Sequence, residues 1–441
     1  MTGSDSGRIG IVGAGITGAA TAYFVSQDRS AADVVVFERN EDVGGRLQTA
    51  TIGDRTFEIG GKYLHTDDPF CMGFVEEFDL NRADPLDVTG SDPPAMGRET
   101  TIGIWDGESF AVNLEDSLFS SVGHLLGSYP LSLYRLFQEG SALEEQLGEL
   151  SEQIAAGESV RTVTELTEKW GMGDWCRRTA REQLTDAGIA EQCIEEVLAA
   201  TTQTTLGQEP SIHAFGGLYG FLSMGASGGD PFAIEGGNAT LVETLLDESA
   251  ADVETETAVQ TIERETDGYR IHHDDGTTAV DAAVLAAPYE RTDLTFDGVD
   301  APPERPYHTN HLSFVAGTLD TNYFGTESIP DLVAAADDPD VPFTLLASMG
   351  SVEGVPGTLY ELETPTEPTK DLLSRLFTSY EVVASKSWQG FPRFDPGIDR
   401  PPFELADQLY YPNAIESLMT SMEFSALAGR NTATLISDAN V

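Results

Sequence analysis

Gly13-x-Gly15-x-x-Gly18 stands between a short apolar run, Arg8–Val12, and a small-residue stretch, 19–25, with a β-branched run, Asp33–Phe37, beyond it. Strand, glycine turn, helix and strand in that order restrict the fold more than any other feature of the chain. Glycine permits the tight turn and lets the backbone approach a pyrophosphate, whose charge then sits at the helix N-terminus. Glu38 ends the second strand twenty residues after Gly18, the spacing at which a carboxylate accepts from ribose hydroxyls. The pattern predicts an α/β fold built on a Rossmann-type dinucleotide domain.

A second glycine pair follows in Val43-Gly44-Gly45-Arg46. Paired glycines again permit close backbone approach, and a guanidinium there is suited to neutralise pyrophosphate oxygens. The combination favours FAD, bound extended and retained, over a nicotinamide that must come and go. In Ile59-Gly60-Gly61-Lys62-Tyr63-Leu64-His65 two more glycines leave room for an isoalloxazine and for a substrate on its face. Lys62 and His65 would then be polar groups beside a mostly apolar cavity, although a histidine here reads equally well as a surface or capping residue. Glu235-Gly236-Gly237-Asn238 opens a helix and repeats the logic at the second half of the nucleotide site. Val259, at a strand end, is placed to touch adenine through its backbone, or is simply core. Tyr410, Tyr411 and Trp388, the last following Lys386, are candidates for cavity walls or for packing. A helix over about 416–436 would point its dipole at the flavin pyrimidine. The sequence shows no nucleophile elbow, Walker loop or metal constellation, so the hard chemistry falls to the cofactor.

Charge narrows the partners. With 24 Lys+Arg against 74 Asp+Glu the formal net charge is −50, which repels nucleic acid at nearly every face and disfavours anionic membranes. No run approaches the ~18 apolar residues of a bilayer span, and the polar opening, 1–7, is not expected to be a signal peptide. Acidic residues scattered along the whole chain, with only four lysines, point to a salt-adapted, halophilic protein working in the cytoplasm. Three irregularly spaced cysteines supply neither a disulfide framework nor a zinc site.

The organisation is discontinuous. Residues 115–200 are charged and helical in period, 239–246 form a helix behind Asn238, and strands are expected over 252–258, 269–273 and 279–286. A further block with strands at 311–319, 343–348 and 358–362 suits a half-buried antiparallel sheet. Residues 1–70, 230–300 and 385–441 are expected to make the FAD-binding domain. The substrate domain, an inserted helical segment with a mixed or antiparallel sheet, is expected to comprise 71–229 and 301–384.

The opening glycine turn, Phe37-Glu38-Arg39 and Gly44-Gly45-Arg46 resemble the flavin-dependent amine oxidase superfamily. Gly60-Gly61-x-x-x-His65, Gly207-Gln208, Glu235-Gly236-Gly237-Asn238, Lys386-x-Trp388, Asp407-x-Leu409-Tyr410-Tyr411-x-Asn413-x-Ile415-Glu416 and Met422-Glu423-x-Ser425-Ala426 resemble the prenylcysteine oxidase family over nearly the whole chain. The resemblance implies cofactor contacts from the three turn glycines, Glu38, Arg39, Gly44, Gly45, Arg46, Gly60, Gly61, Val259 and Glu423. The catalytic surface is expected to include Lys62, His65, Lys386 and Tyr411. The implied activity is oxidation of the carbon beside sulfur in an isoprenoid thioether, giving an aldehyde, a free thiol and, with oxygen as electron acceptor, hydrogen peroxide. Lys62 stands where the family pattern suggests a small residue. Amine oxidation, isoprenoid desaturation, or flavin-bound electron transfer or lipid carriage without turnover are the alternatives on the same scaffold.

Overall fold

β-Branched and alanine-rich segments that are apolar on both faces can be buried only in the middle of a layered sheet, and three such segments meet here. The computed structural model describes residues 7–90, 101–114, 129–226 and 229–439; the expected signal-free opening, 1–6, and the start of the expected helical stretch, 115–128, lie outside the described residues. Arg8–Val12 pairs in parallel with Asp33–Phe37 on one side and Ala282–Leu285 on the other. Asp252–Glu254 extends one edge, and Leu409–Tyr410 followed by Glu404–Ala406 extends the other, making six strands. Ile9, Ile11, Val35, Val36 and Val284 are all fully buried.

The first helix, Ile16–Asp28, packs against the C-terminal helix, Met422–Asp438, and against Ala239–Ser249. The close approach is made by Gly429, where a methyl would lie 2.9 Å from both the Ala20 Cβ and the Thr21 nitrogen. Phe70 and Phe74 of the helix Pro69–Glu77 are buried against Tyr23 and Phe24 of the first helix, so the periodicity of that segment is a packing face.

The second layer is a seven-stranded sheet in the order Phe377–Pro392, Tyr307–Leu319, Thr358–Thr364, Leu345–Gly350, Leu332–Ala335, Ile102–Trp105, Phe110–Leu114. It is antiparallel except where Leu332–Ala335 runs parallel to Ile102–Trp105. One face carries Trp105, Val315, Val333, Leu346 and Leu362 under the short helix Lys370–Leu376. The opposite, inner face carries Leu312 and Phe314 under the hairpin Thr49–Ile52/Arg55–Glu58, and Leu332, Ala334, Leu345 and Ala347 with Ala200 of the helix Ala199–Leu206. The helical insertion runs from Pro130–Ala155 through a series of short helices to Ala214–Phe221.

The strand Phe377–Pro392 runs through position 385, the expected domain border. The C-terminal helix begins at Met422 rather than near 416, because Ser421 caps it by accepting from the Phe424 N–H at 3.1 Å, and Pro412–Ser417 forms a separate 3₁₀ turn.

Candidate active site

The three turn glycines are not equivalent. A methyl on Gly13 would lie 2.9 Å from the Ala286 carbonyl oxygen, and one on Gly18 only 2.0 Å from that of Gly13. Packing within the protein therefore demands both. Gly15 has an ordinary extended conformation, φ −83° and ψ −179°, and a methyl there would meet nothing closer than 4.0 Å. It caps the first helix with no side-chain hydrogen bond and no acid in the first turn. The space over Gly15 and the exposed helix start thus form a cradle that the protein itself leaves empty, the arrangement an anionic pyrophosphate fits.

Around this cradle the distant segments converge. The Gly44 N–H donates to the Ala14 carbonyl at 2.9 Å, holding the second glycine pair beside the first. Glu38 is buried; its carboxylate accepts from the Ala14 N–H at 3.0 Å and from the Asn40 N–H at 3.0 Å. The Thr257 N–H donates to the Glu38 carbonyl at 2.8 Å, which brings the strand that begins at Val259 close to Glu38. Arg39, more exposed, donates to the Arg291 carbonyl at 3.2 Å. Gly60 must be glycine because a methyl would fall 1.8 Å from the Arg46 carbonyl oxygen, and on Gly61 it would meet Leu47 at 2.8 Å. Asn238 locks this region, donating to the carbonyls of Gly61 at 2.9 Å and Lys62 at 3.0 Å.

Several side chains are engaged differently from the sequence expectation. The Arg46 guanidinium forms an ion pair with Glu416, which is fully buried, and donates to the Gly390 carbonyl at 2.8 Å; its charge is neutralised by a carboxylate rather than left for a phosphate. Lys62 is not a free group beside the cofactor. Its ammonium is paired with Glu361, with Glu363 at 3.5 Å, and burial, against the attraction of Glu363, pulls its pKa down. Tyr411 is no cavity wall: it is fully buried, its hydroxyl accepting from Arg305 at 2.6 Å and from the Tyr289 N–H at 3.1 Å. Glu423 accepts from the Phe70 and Cys71 N–H groups at 3.1 and 2.9 Å. Its carboxylate therefore caps the helix Pro69–Glu77, whose N-cap residue, Asp68, makes no side-chain capping bond. Burial, reinforced by Asp68, pushes Glu423 up to about 8.

His65 and Lys386 keep polar roles near the glycine loops. His65 Nε2 lies 3.0 Å from the Ser223 carbonyl and Nδ1 3.8 Å from Asp68; burial opposes its charge, but Asp68 outweighs it and raises the pKa. Lys386 donates to Gln48 at 2.8 Å, and Gln48 donates to the Gly45 carbonyl at 3.2 Å. Its ammonium lies 5.4 Å from the Trp388 ring centroid. Burial and the nearby Arg291 pull Lys386 down to about 8.

Two groups of functional side chains escape the sequence reading. Glu58, buried beneath Gly237, accepts from the Asn238 N–H at 2.5 Å and leaves its second oxygen without a partner. Burial outweighs that bond and the nearby Lys62, pushing it up to about 7. The other is a polar network under the C-terminal motif. Arg305 binds Glu290 at 2.7 Å, Tyr411, and the Asn413 carbonyl at 2.8 Å, while Glu416 accepts from Asn413 at 2.6 Å and from Tyr307. Proximity of Glu58 to Gly60 in sequence was the available signal for the first. In the second, Tyr411, Asn413 and Glu416 stand in the C-terminal motif, but Arg305 and Tyr307 lie 106 to 109 residues away from the partners they meet there.

Fold and site together define a flavin-dependent oxidoreductase: a dinucleotide cradle closed by glycine loops beside a large, mostly antiparallel sheet. Solved structures agree on the architecture. A cyclohexylamine oxidase from Brevibacterium oxydans is 16% identical with a TM-score of 0.61, over 98% of this chain and 99% of that one. A putrescine oxidase double mutant is 14% identical with a TM-score of 0.60, over the same shares. Residues 11–78 match the NAD(P)-binding Rossmann-like domain, and residues 115–440 match prenylcysteine lyase. Among curated relatives, farnesylcysteine lyase of Arabidopsis thaliana is 31% identical over 97% of this chain and 87% of the relative. Prenylcysteine oxidase 1 of Mus musculus is 29% identical over 97% and 88%. The chain belongs to the prenylcysteine lyase family.

Proposed function

We propose that this chain binds FAD and oxidises the carbon beside sulfur in an isoprenoid thioether, with water and oxygen consumed and an aldehyde, a thiol and hydrogen peroxide released. FAD, when bound, would supply the acceptor for the hydride leaving that carbon. The glycine-lined cradle at Gly15, with Gly44, Gly45, Gly60 and Gly61, would hold the cofactor, and Glu38 would face its ribose. In this reading 1–70 and 230–300 carry most of the cofactor contacts, and 71–229 with 301–392 carry the substrate.

One observation supports an apolar substrate above all. Leu332, Ala334, Leu345 and Ala347 on the inner face of the large sheet pack with Ala200 of the helix laid over it. An apolar face of this kind would suit a flexible hydrocarbon and would keep bulk water from the reacting carbon. The names of the farnesylcysteine and prenylcysteine relatives support the same substrate class. Peroxide release measured with S-farnesylcysteine, with diamines and with a carotenoid precursor tests the assignment. Peroxide with the thioether is expected; peroxide with diamines alone would replace it by amine oxidation.

The charge of −50 supports function in concentrated salt, consistent with the cytoplasm of a halophile. Among the described residues no helix is long and apolar enough to cross a membrane.

A further inference from the structure

Ala200, Thr204 and Gly207 fall on one face of the helix Ala199–Leu206 and its cap, at i, i+4 and i+7. Ala200 packs on the inner face of the sheet, so the same side of the helix brings Thr204 and Gly207 toward it. Three other threonines of this helix, Thr201, Thr202 and Thr205, donate back to helix carbonyls at 2.8, 3.1 and 2.7 Å. Thr204 does not: its hydroxyl is buried without a partner.

The facing strand repeats the anomaly. Asn310 pairs with Trp388 across the ladder and shares the inner face with Leu312 and Phe314. It is 6% exposed, and its amide oxygen has no hydrogen-bond partner. A methyl on Gly207 would lie 2.8 Å from that oxygen and 3.1 Å from His308 Nε2. Amide, imidazole and the helix cap therefore converge on one point, with the Thr204 hydroxyl one turn away. The other polar groups of this face, Lys386, Glu361 and Glu363, are all paired. This end of the sheet also adjoins the second glycine pair, because Gly390, two residues beyond Trp388, accepts from Arg46.

Buried polar atoms left unpaired beside apolar side chains are costly to keep and are ordinarily explained by a bound water or ligand. We propose that Asn310, Thr204 and His308 hold the water molecule that attacks the oxidised carbon, His308 Nε2 accepting its proton. The inference rests on the thioether reading above. After hydride has left the carbon beside sulfur for the flavin, the water oxygen bonds to that carbon and one water proton passes to His308. The carbon–sulfur bond then breaks, the electron pair leaves with sulfur, and the second water proton ends on it as the thiol. Burial and the neighbouring Arg393 and His311 hold the His308 pKa down, so its imidazole is neutral and able to accept.

The test separates two signals in one anaerobic rapid-mixing experiment on the flavin-loaded enzyme with S-farnesylcysteine: bleaching of the flavin, and free thiol trapped by quenching. Asn310→Leu, Thr204→Val and His308→Gln are expected to bleach within about twofold of the wild-type rate while thiol release slows by ~100-fold, the scale of positioned acid–base help. Asn310→Leu should also raise the melting temperature, since it removes a buried unpaired amide. Bleaching and thiol release slowed together, or thiol release keeping pace in all three variants, would overturn the assignment. Absence of bleaching in the wild-type enzyme would instead remove the thioether reading, and this inference with it.

Discussion

Gly15→Ala isolates the cradle from the fold. The residue has φ −83° and a methyl there would meet no protein atom within 4.0 Å, so the folded chain accepts alanine without strain. Replacing glycine by alanine at a helix N-cap costs at most about 1 kcal/mol, which shifts the melting of the flavin-free protein by no more than ~4 °C. Bound pyrophosphate feels the same methyl severely. Displacing it from two helix-start N–H groups forfeits two charge-assisted bonds at about 1.5–3 kcal/mol each. The sum of ~3–6 kcal/mol corresponds to ~100- to 10,000-fold weaker retention of FAD. The assay is flavin absorbance per chain after purification, followed by titration of the stripped protein with FAD. Gly18→Ala is the contrasting control: its methyl would sit 2.0 Å from the Gly13 carbonyl and should prevent folding outright. Gly15→Ala protein that folds and keeps a full complement of tightly held flavin would refute the reasoning.

Glu58 sits with its pKa at about 7, above the ordinary 4.5, so it costs nothing below pH 4.5 and destabilises progressively as the pH rises toward 7. Glu58→Gln, which keeps the acceptor for Asn238, should match wild type at pH 4 and exceed it by about 3 kcal/mol at pH 8 in denaturant unfolding. Glu416 behaves oppositely: burial opposes its charge, but Arg46 and Arg305 hold its carboxyl below 4.5. Its stabilisation is present above that value and is lost as the pH falls through the depressed one. Glu416→Ala should therefore cost about 3 kcal/mol at neutral pH by leaving the half-buried Arg46 without its carboxylate partner. Melting temperature should rise with added KCl, as ~1 M salt shortens the screening length to about 3 Å; a temperature that falls would count against salt adaptation.

The dinucleotide half of the fold was legible because its demands are local. Turn glycines, a helix of small residues and an acid at the next strand end lie within 31 residues, from Arg8 to Glu38. The strand Tyr269–His273 lies where the alternation placed it. Phe377–Pro392 was missed because it is an edge strand, exposed along much of its length, and shows little apolar pattern. At the site, glycines were readable and charged side chains were not. Lys62 and Tyr411 look like free polar groups until Glu361 and Arg305 arrive from other segments to pair with them. Glu423 was implied as a cofactor contact by the resemblance, whereas its carboxylate accepts from the N–H groups that open the helix at Pro69. Pairings between residues hundreds of positions apart leave no trace in spacing.

The central claim is that the cradle holds a flavin that takes hydride from the carbon next to sulfur. Mixing the purified yellow protein with one equivalent of S-farnesylcysteine in the absence of oxygen, in molar KCl, tests it most directly. The account predicts loss of the flavin colour with one equivalent each of farnesal and cysteine formed. Colour that persists with the thioether but is discharged by a diamine would contradict it.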